Sequence, residues 1–198
     1  MNQQAAEQGA APDRIHPALV PRFGFRRRVS LVVRPLVSDS MSVKSSIMIT
    51  GSRDVDREKA RTLFEQHLSP FLSQGRTWLV GTARGIDHWA MEWLLENSES
   101  CWTVVPYTRL KQPRWVQPWL DQLDRIIELQ LPQRKTASAI RNRYMVDLSQ
   151  IVFGFWMGRG GGTTKTLKYA LRLRRETHAI PIFLSADKAS GLDYLLSK

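Results

Sequence analysis

Trp78-Leu79-Val80-Gly81-Thr82-Ala83-Arg84-Gly85-Ile86-Asp87 is the stretch that decides the fold. Its first three residues are large and apolar, which suits a strand buried on both faces. Gly81 stops the strand. From Asp87 to Leu95 the apolar residues Ala90, Met91, Leu94 and Leu95 recur at helical spacing. A strand, a glycine turn and a helix in so short a span make one unit of a parallel sheet with crossover helices.

The unit recurs on either side. Ile47-Met48-Ile49 is a strand ending in Thr50-Gly51-Ser52-Arg53, and Ala60, Leu63, Phe64 and Leu68 predict a helix over Asp56 to Leu72. Ile151 to Trp156 is a strand without a polar side chain, followed by the glycine-rich loop Gly158 to Gly162 and a helix from Thr163 to Arg175. Trp102 to Val105 is a strand stopped by Pro106, Ser138 to Leu148 a helix, and Ile180 to Leu184 the last strand. Pro113 and Pro118 argue against a helix over Tyr107 to Pro118. Trp119 to Leu129 reads as a helix and Arg125 to Leu131 equally as a strand; the pattern leaves both open. Residues 45–186 are therefore expected to form a single α/β domain, a Rossmann-like doubly wound parallel sheet. No heptad pattern and no internal repeat is present.

Of 198 residues, 29 are Lys or Arg and 18 Asp or Glu, a formal net charge of +11. Residues 1–44 carry six Arg and Lys44 against Glu7, Asp13 and Asp39, which leaves +7 on the remainder. That segment reads as a disordered basic extension, broken by Pro17, Pro21 and Pro35. Its Arg-rich, acid-poor composition also resembles a transit peptide, and Met41 offers a second start. Residues 187–198 read as a C-terminal tail. Cys101 is the only cysteine, which excludes a disulfide scaffold and a multi-Cys zinc site and favours a cytoplasmic protein. No apolar run approaches the roughly 18–20 residues that span a bilayer, so no membrane role is expected. Such charge points to nucleic acid or phosphorylated ligands.

Three strand ends carry a glycine turn before a helix: Gly51-Ser52-Arg53, Gly81 to Gly85, and Gly160-Gly161-Gly162-Thr163. A parallel sheet brings all three to one edge, where ligands bind. Glycine permits close backbone approach, and a helix start offers unpaired N–H groups and partial positive charge to phosphate. The first turn lacks the second and third glycines of the dinucleotide fingerprint, and Gly158 to Lys165 lacks the Lys-Ser/Thr of a Walker loop. Nicotinamide redox chemistry and P-loop hydrolysis are thus disfavoured.

Gly81-Thr82-Ala83-Arg84-Gly85-Ile86-Asp87, with His88 and Ala90, resembles the G-x-A-R-G-I-D-x-x-A signature of the DNA-processing protein A (DprA/Smf) family. Arg141-Asn142-Arg143 with Leu148-Ser149 is similar to that family's R-N-R … L-S segment, and Gly161 to Thr164 before Ala170 loosely resembles its later glycine turn. Order and spacing agree from about Ser46 to Leu184. The wider group is the SLOG superfamily, whose short single-domain members share the Gly-Ser-Arg start and the run Arg141, Asn142, Met145. The resemblance implies a non-catalytic domain that binds single-stranded DNA and hands it to a recombinase during uptake, recombination or repair. It also admits a homodimer, although the residues themselves carry no dimer signature. The alternative is a SLOG-type nucleotide-ligand or nucleotide-hydrolysing domain. The hydrolases use a glutamate soon after their glycine turn, whereas here Lys165, Thr166 and Lys168 follow and no acid comes before Glu176.

The expected phosphate or nucleic-acid site comprises Gly51, Ser52, Arg53, Gly81, Arg84, Gly85, Asp87, Arg141, Asn142, Arg143, Gly160, Gly161, Gly162, Thr163, Lys165 and Lys168. Arginine suits bidentate phosphate contact. For Arg141 and Arg143 the competing role is pairing with Asp54, Asp87 or Asp147; for Asp87 it is capping its helix, against orienting Arg84 or a ligand hydroxyl. Lys165, Lys168, Arg172 and Arg175 form a basic helix face that Arg159 extends. Trp89, Trp93, Tyr107, Trp115, Trp119 and Trp156 are available for base stacking, Trp156 foremost; Trp89 and Trp93 read rather as packing or a partner-facing patch. His16, His67, His88 and His178 show no metal-ligand spacing, so neither a metal nor another cofactor is expected. Cys101 is expected to be buried.

Overall fold

A computed structural model describes residues 45–158 and 160–182. The basic extension, Arg159, Leu184 and the C-terminal tail lie outside the described residues. Six strands form one sheet: β1 (Ser46–Gly51), β2 (Thr77–Val80), β3 (Cys101–Val105), β4 (Arg125–Glu128), β5 (Ile151–Trp156) and β6 (Glu176–Pro181). All pairings are parallel, in the order β4-β3-β2-β1-β5-β6. The helices are α1 (Arg57–His67), α2 (Ile86–Glu96), the short α3 (Gln117–Leu120), α4 (Ala137–Leu148) and α5 (Gly162–Arg172).

Strand alternation divides the core into two layers. Ile47, Ile49, Trp78, Val80, Phe153 and Phe155 pack with Ala60 and Phe64 of α1 and Ala90, Met91 and Leu94 of α2. Met48, Leu79, Val152 and Trp156 point the other way, onto Met145 and Val146 of α4 and Leu167 and Ala170 of α5. Both faces being covered, the strands are continuous apolar runs rather than alternating ones. Gly154, mid-strand, leaves the space in which the Leu167 side chain sits; a Cβ there would overlap it. The buried Cys101 belongs to the first layer, and burial pushes its thiol pKa up. Trp93 is buried on Phe64, and Trp89 packs on the same core with its indole N–H donating to Val55 O at 2.8 Å. Both thus pack on this core, Trp93 buried and Trp89 half-buried.

The structure settles one open segment and differs from the sequence reading at three others. The ambiguous segment is a strand: β4 pairs with β3, and Arg125 lies over the Trp102 ring at 4.8 Å. Pro118 sits in the first turn of α3, where no N–H is needed. The helix α5 stops at Arg172 rather than Arg175, because Arg174 takes the left-handed conformation (φ 55°) and turns the chain into β6. The strand β6 therefore begins at Glu176, four residues before the expected start. It lies at the sheet edge, where Glu176 and Thr177 face solvent in part and no apolar run marks them.

No helix among the described residues is long and apolar enough to cross a membrane. β1 and β5 are neighbours, but α1 leaves β1 on one face and α5 leaves β5 on the other. This is the switch point of the sheet, where a crevice opens at the C-terminal strand ends.

Candidate functional site

That crevice holds a cavity of about 510 Å³. Most of its walls come from three places. The end of β1 and the turn after it supply Gly51, Ser52, Arg53 and Asp54; α4 and the loop before it supply Lys135, Arg141, Asn142 and Arg143; the turn after β5 and the start of α5 supply Gly160, Gly161, Gly162, Thr163 and Lys165. Asp87 and Ala83 reach it from the second turn. Of the expected residues, Gly81, Arg84, Gly85 and Lys168 are not on its walls.

The three glycine turns do different things. A Cβ on Gly51 would stand 2.6 Å from the Ile86 side chain. One on Gly81 would overlap the Arg141 guanidinium and the Asp87 carboxylate. Gly85 has φ 73°, and a Cβ there would overlap the backbone of Ser52 and Arg53. These glycines admit the chain's own atoms. Around Gly160, Gly161 and Gly162, by contrast, no described atom beyond their chain neighbours lies within 4 Å of a Cβ position. Gly161 is the N-cap of α5 and offers no side-chain hydrogen bond to the helix start. The start of α1 is closed instead by Asp56, whose carboxylate accepts from the Lys59 N–H at 2.8 Å.

Asp87 and Arg141 form a buried ion pair, Nη1 to Oδ2 at 3.5 Å, with the arginine side chain 5% exposed. Asp87 also accepts from the Ala83 N–H at 3.4 Å. Burial pushes the Asp87 carboxyl above the usual carboxylate range, against the pull of Arg141, the Ala83 N–H, Arg53 and the Gly51 N–H. Asp87 thus serves neither as the helix cap, a position Gly85 occupies, nor as a partner of Arg84. Arg141 turns its charge to Asp87, while its Nε is buried without a hydrogen-bond partner. Asn142 ties α4 to α5 through Thr166 Oγ1 at 3.0 Å.

The other cavity cations are not so engaged. Arg53, Lys135, Arg143 and Lys165 are all exposed, and none has a carboxylate partner among the described residues. Arg143 lies over the Tyr169 ring at 5.6 Å. Asp54 is the one exposed acid on the walls. Lys135 was not picked out from the sequence; its signal is the basic run Arg134-Lys135 just before the helix that carries Arg141.

Beyond Lys165 the basic face runs away from the cavity: Lys168 and Arg172 are not on its walls, Arg172 lies over Tyr169 at 5.7 Å, and Arg175, past the helix end, donates to Asp147 O at 2.9 Å. One expectation is corrected. Trp156 touches the cavity but is 3% exposed, its ring in the core and its indole N–H donating to Thr164 Oγ1 at 2.9 Å. A base cannot stack on a face the core already covers.

Fold and cavity together define a Rossmann-like α/β domain with a ligand crevice at its topological switch point. The family model described as DNA recombination-mediator protein A matches residues 38–198, and the chain belongs to that family. No curated protein sequence matches the chain. Among solved structures, DNA processing protein A from Streptococcus pneumoniae superposes with TM-score 0.60 at 20% identity, over 77% of this chain and 56% of that one. DNA processing protein A from Helicobacter pylori, solved for its single-stranded DNA binding mode, gives TM-score 0.61 at 17% identity, over 77% and 72%. A molybdenum cofactor binding protein from Rippkaea orientalis gives 0.51 at 18% identity, over 68% and 74%. At these identities the likenesses carry the fold. The chain spans little more than half the length of the Streptococcus protein.

Proposed function

We propose that the domain is a non-catalytic binder of single-stranded DNA that acts in DNA processing or recombination in the cytoplasm. One observation carries the reading. Four exposed cations without carboxylate partners among the described residues, Arg53, Lys135, Arg143 and Lys165, surround an open glycine turn at a helix start without a side-chain cap. Backbone N–H groups and a helix start favour phosphate, and dispersed cations without a fitted base pocket suit a strand whose sequence is not read. Family membership and the likeness to the Helicobacter protein support the same ligand. A recombinase that receives the strand is the partner this role implies, and a homodimer would lengthen the bound tract.

The cavity volume favours a second reading. About 510 Å³ lies within the range of roughly 300–1,000 Å³ usual for small ligands. A phosphorylated nucleotide, or a molybdenum cofactor such as the Rippkaea protein binds, would meet the same donors.

Titration of labelled single-stranded DNA across a salt series tests the first reading. Affinity should fall linearly on logarithmic axes, with a slope of about −0.7 per phosphate contacted. No binding at low salt, together with a large thermal shift from a mononucleotide, would establish the second.

A further inference from the structure

A second cluster lies next to the cavity, on the side away from Gly160–Gly162. His88, the residue after Asp87, is ringed by Trp89, Trp115 and Trp119 at centroid separations of 4.5, 5.1 and 5.5 Å. Each tryptophan is half-buried and so shows part of its ring to solvent. Arg84 is exposed, its guanidinium 5.9 Å from the centre of the Trp115 ring. Trp89 satisfies its indole N–H on Val55, but those of Trp115 and Trp119 bond to no described residue. The His88 Nδ1 is buried without a partner. A buried polar atom ordinarily finds a partner, so packing alone does not account for the His88 Nδ1, while the indole N–H groups of Trp115 and Trp119 stay open to solvent.

The cluster is continuous with the cavity. Gly85, adjoining Arg84, packs on the backbone of Ser52 and Arg53, and the Ile86 N–H donates to Ser52 O at 3.1 Å. Arg53 is on the cavity wall. Since β2 adjoins β1 opposite β5, a strand leaving the glycine turn past Arg53 meets Arg84 and then Trp115.

We propose that Arg84, Trp115 and Trp119 form a second subsite, which stacks an unpaired base and holds the adjoining phosphate. This rests on the single-stranded DNA reading above. Stacking on tryptophan tolerates any base, and an arginine already over a ring can lie against a base or turn to phosphate. A ligand short enough to sit in the cavity does not reach this subsite; a longer strand does.

The test compares a labelled thymidine dinucleotide with an oligothymidylate of about twelve residues, by fluorescence anisotropy on the full chain. Arg84→Ala and Trp115→Ala should each weaken the longer ligand by about tenfold and leave the dinucleotide unchanged. Trp115→Phe should keep most of the affinity. Arg84 is exposed and in no ion pair with a described residue, so its variant reports even if Trp115→Ala unfolds. Unchanged affinity of Arg84→Ala and Trp115→Phe for a longer strand that the parent binds, with Trp115→Ala either unchanged or unfolded, overturns the subsite alone. Equal weakening of both ligands overturns it too, since the effect would then act through the cavity. A parent that binds neither ligand overturns the DNA reading itself.

Discussion

Gly81–Gly85 and Gly160–Gly162 each follow a buried strand and each lead into a helix of 11 residues. Around the first, the chain has filled every approach. The Arg141–Asp87 pair fills the place of a Gly81 side chain, Gly85 abuts Ser52 and Arg53, and the first N–H of α2 is taken by Ser52 O. Around the second, no described atom beyond the chain neighbours stands within 4 Å of a Cβ position and the helix start has no side-chain cap. A glycine turn therefore signals close approach without saying of what. The closed turn holds the sheet edge together; the open one is the turn to which the proposed function assigns the phosphate.

The largest expected effect tests the closed turn. Gly81→Ala should cost about 3–5 kcal/mol, since its methyl must expel a buried guanidinium and break the pair. Gly161→Val, at an extended backbone with open space, should stay within about 0.5 kcal/mol of the parent while weakening anion binding. Denaturant unfolding of both variants checks this, and equal stabilities would break the contrast. Next, Arg141→Met alone should destabilise by about 3–5 kcal/mol, because it strands Asp87 without its counter-charge. Adding Asp87→Leu should recover most of that loss; no recovery would mean that packing, not charge, ties the closed turn.

Smaller effects belong to the open turn. Arg53→Ala and Lys165→Ala should leave the melting temperature unchanged, and each should reduce the magnitude of the salt slope for single-stranded DNA by about 0.7. A slope unchanged in both would place the strand elsewhere. The smallest effect sharpens the packed side. Burial lowers the pKa of His88 and, with help from His178, that of His67. The unfolded state then binds protons first, so the stability these residues provide is present above about pH 6.5 and lost as pH falls through their folded values. Melting temperature followed from pH 7.5 to 5 should decline, and His67→Gln with His88→Gln should flatten that decline.

How much was legible in the sequence follows from the same physics. Ile47-Met48-Ile49, Trp78-Leu79-Val80 and Ile151 to Trp156 announced a parallel sheet because strands buried on both faces must be apolar throughout. The edges were less legible. Glu176 and Thr177 pair with β5 through backbone atoms, which leave no mark on side-chain pattern, and the turn at Arg174 uses no glycine. At the site, the glycine turns and Arg53, Arg141 and Arg143 were visible as residue types suited to phosphate. Lys135 was missed because it sits in a loop with no periodicity to mark it.

The sequence by itself determined the α/β class, the shared edge of the three turns and the family, because these depend on local hydrophobic pattern and motif order. Only the tertiary structure decided which cations are engaged and which glycines are open. Arg141 and Arg143 are two residues apart on one helix, yet one is buried on Asp87 and the other exposed at the cavity. Helical geometry turns them to different faces, and only the packing of α4 on the sheet settles which face meets a carboxylate and which meets water.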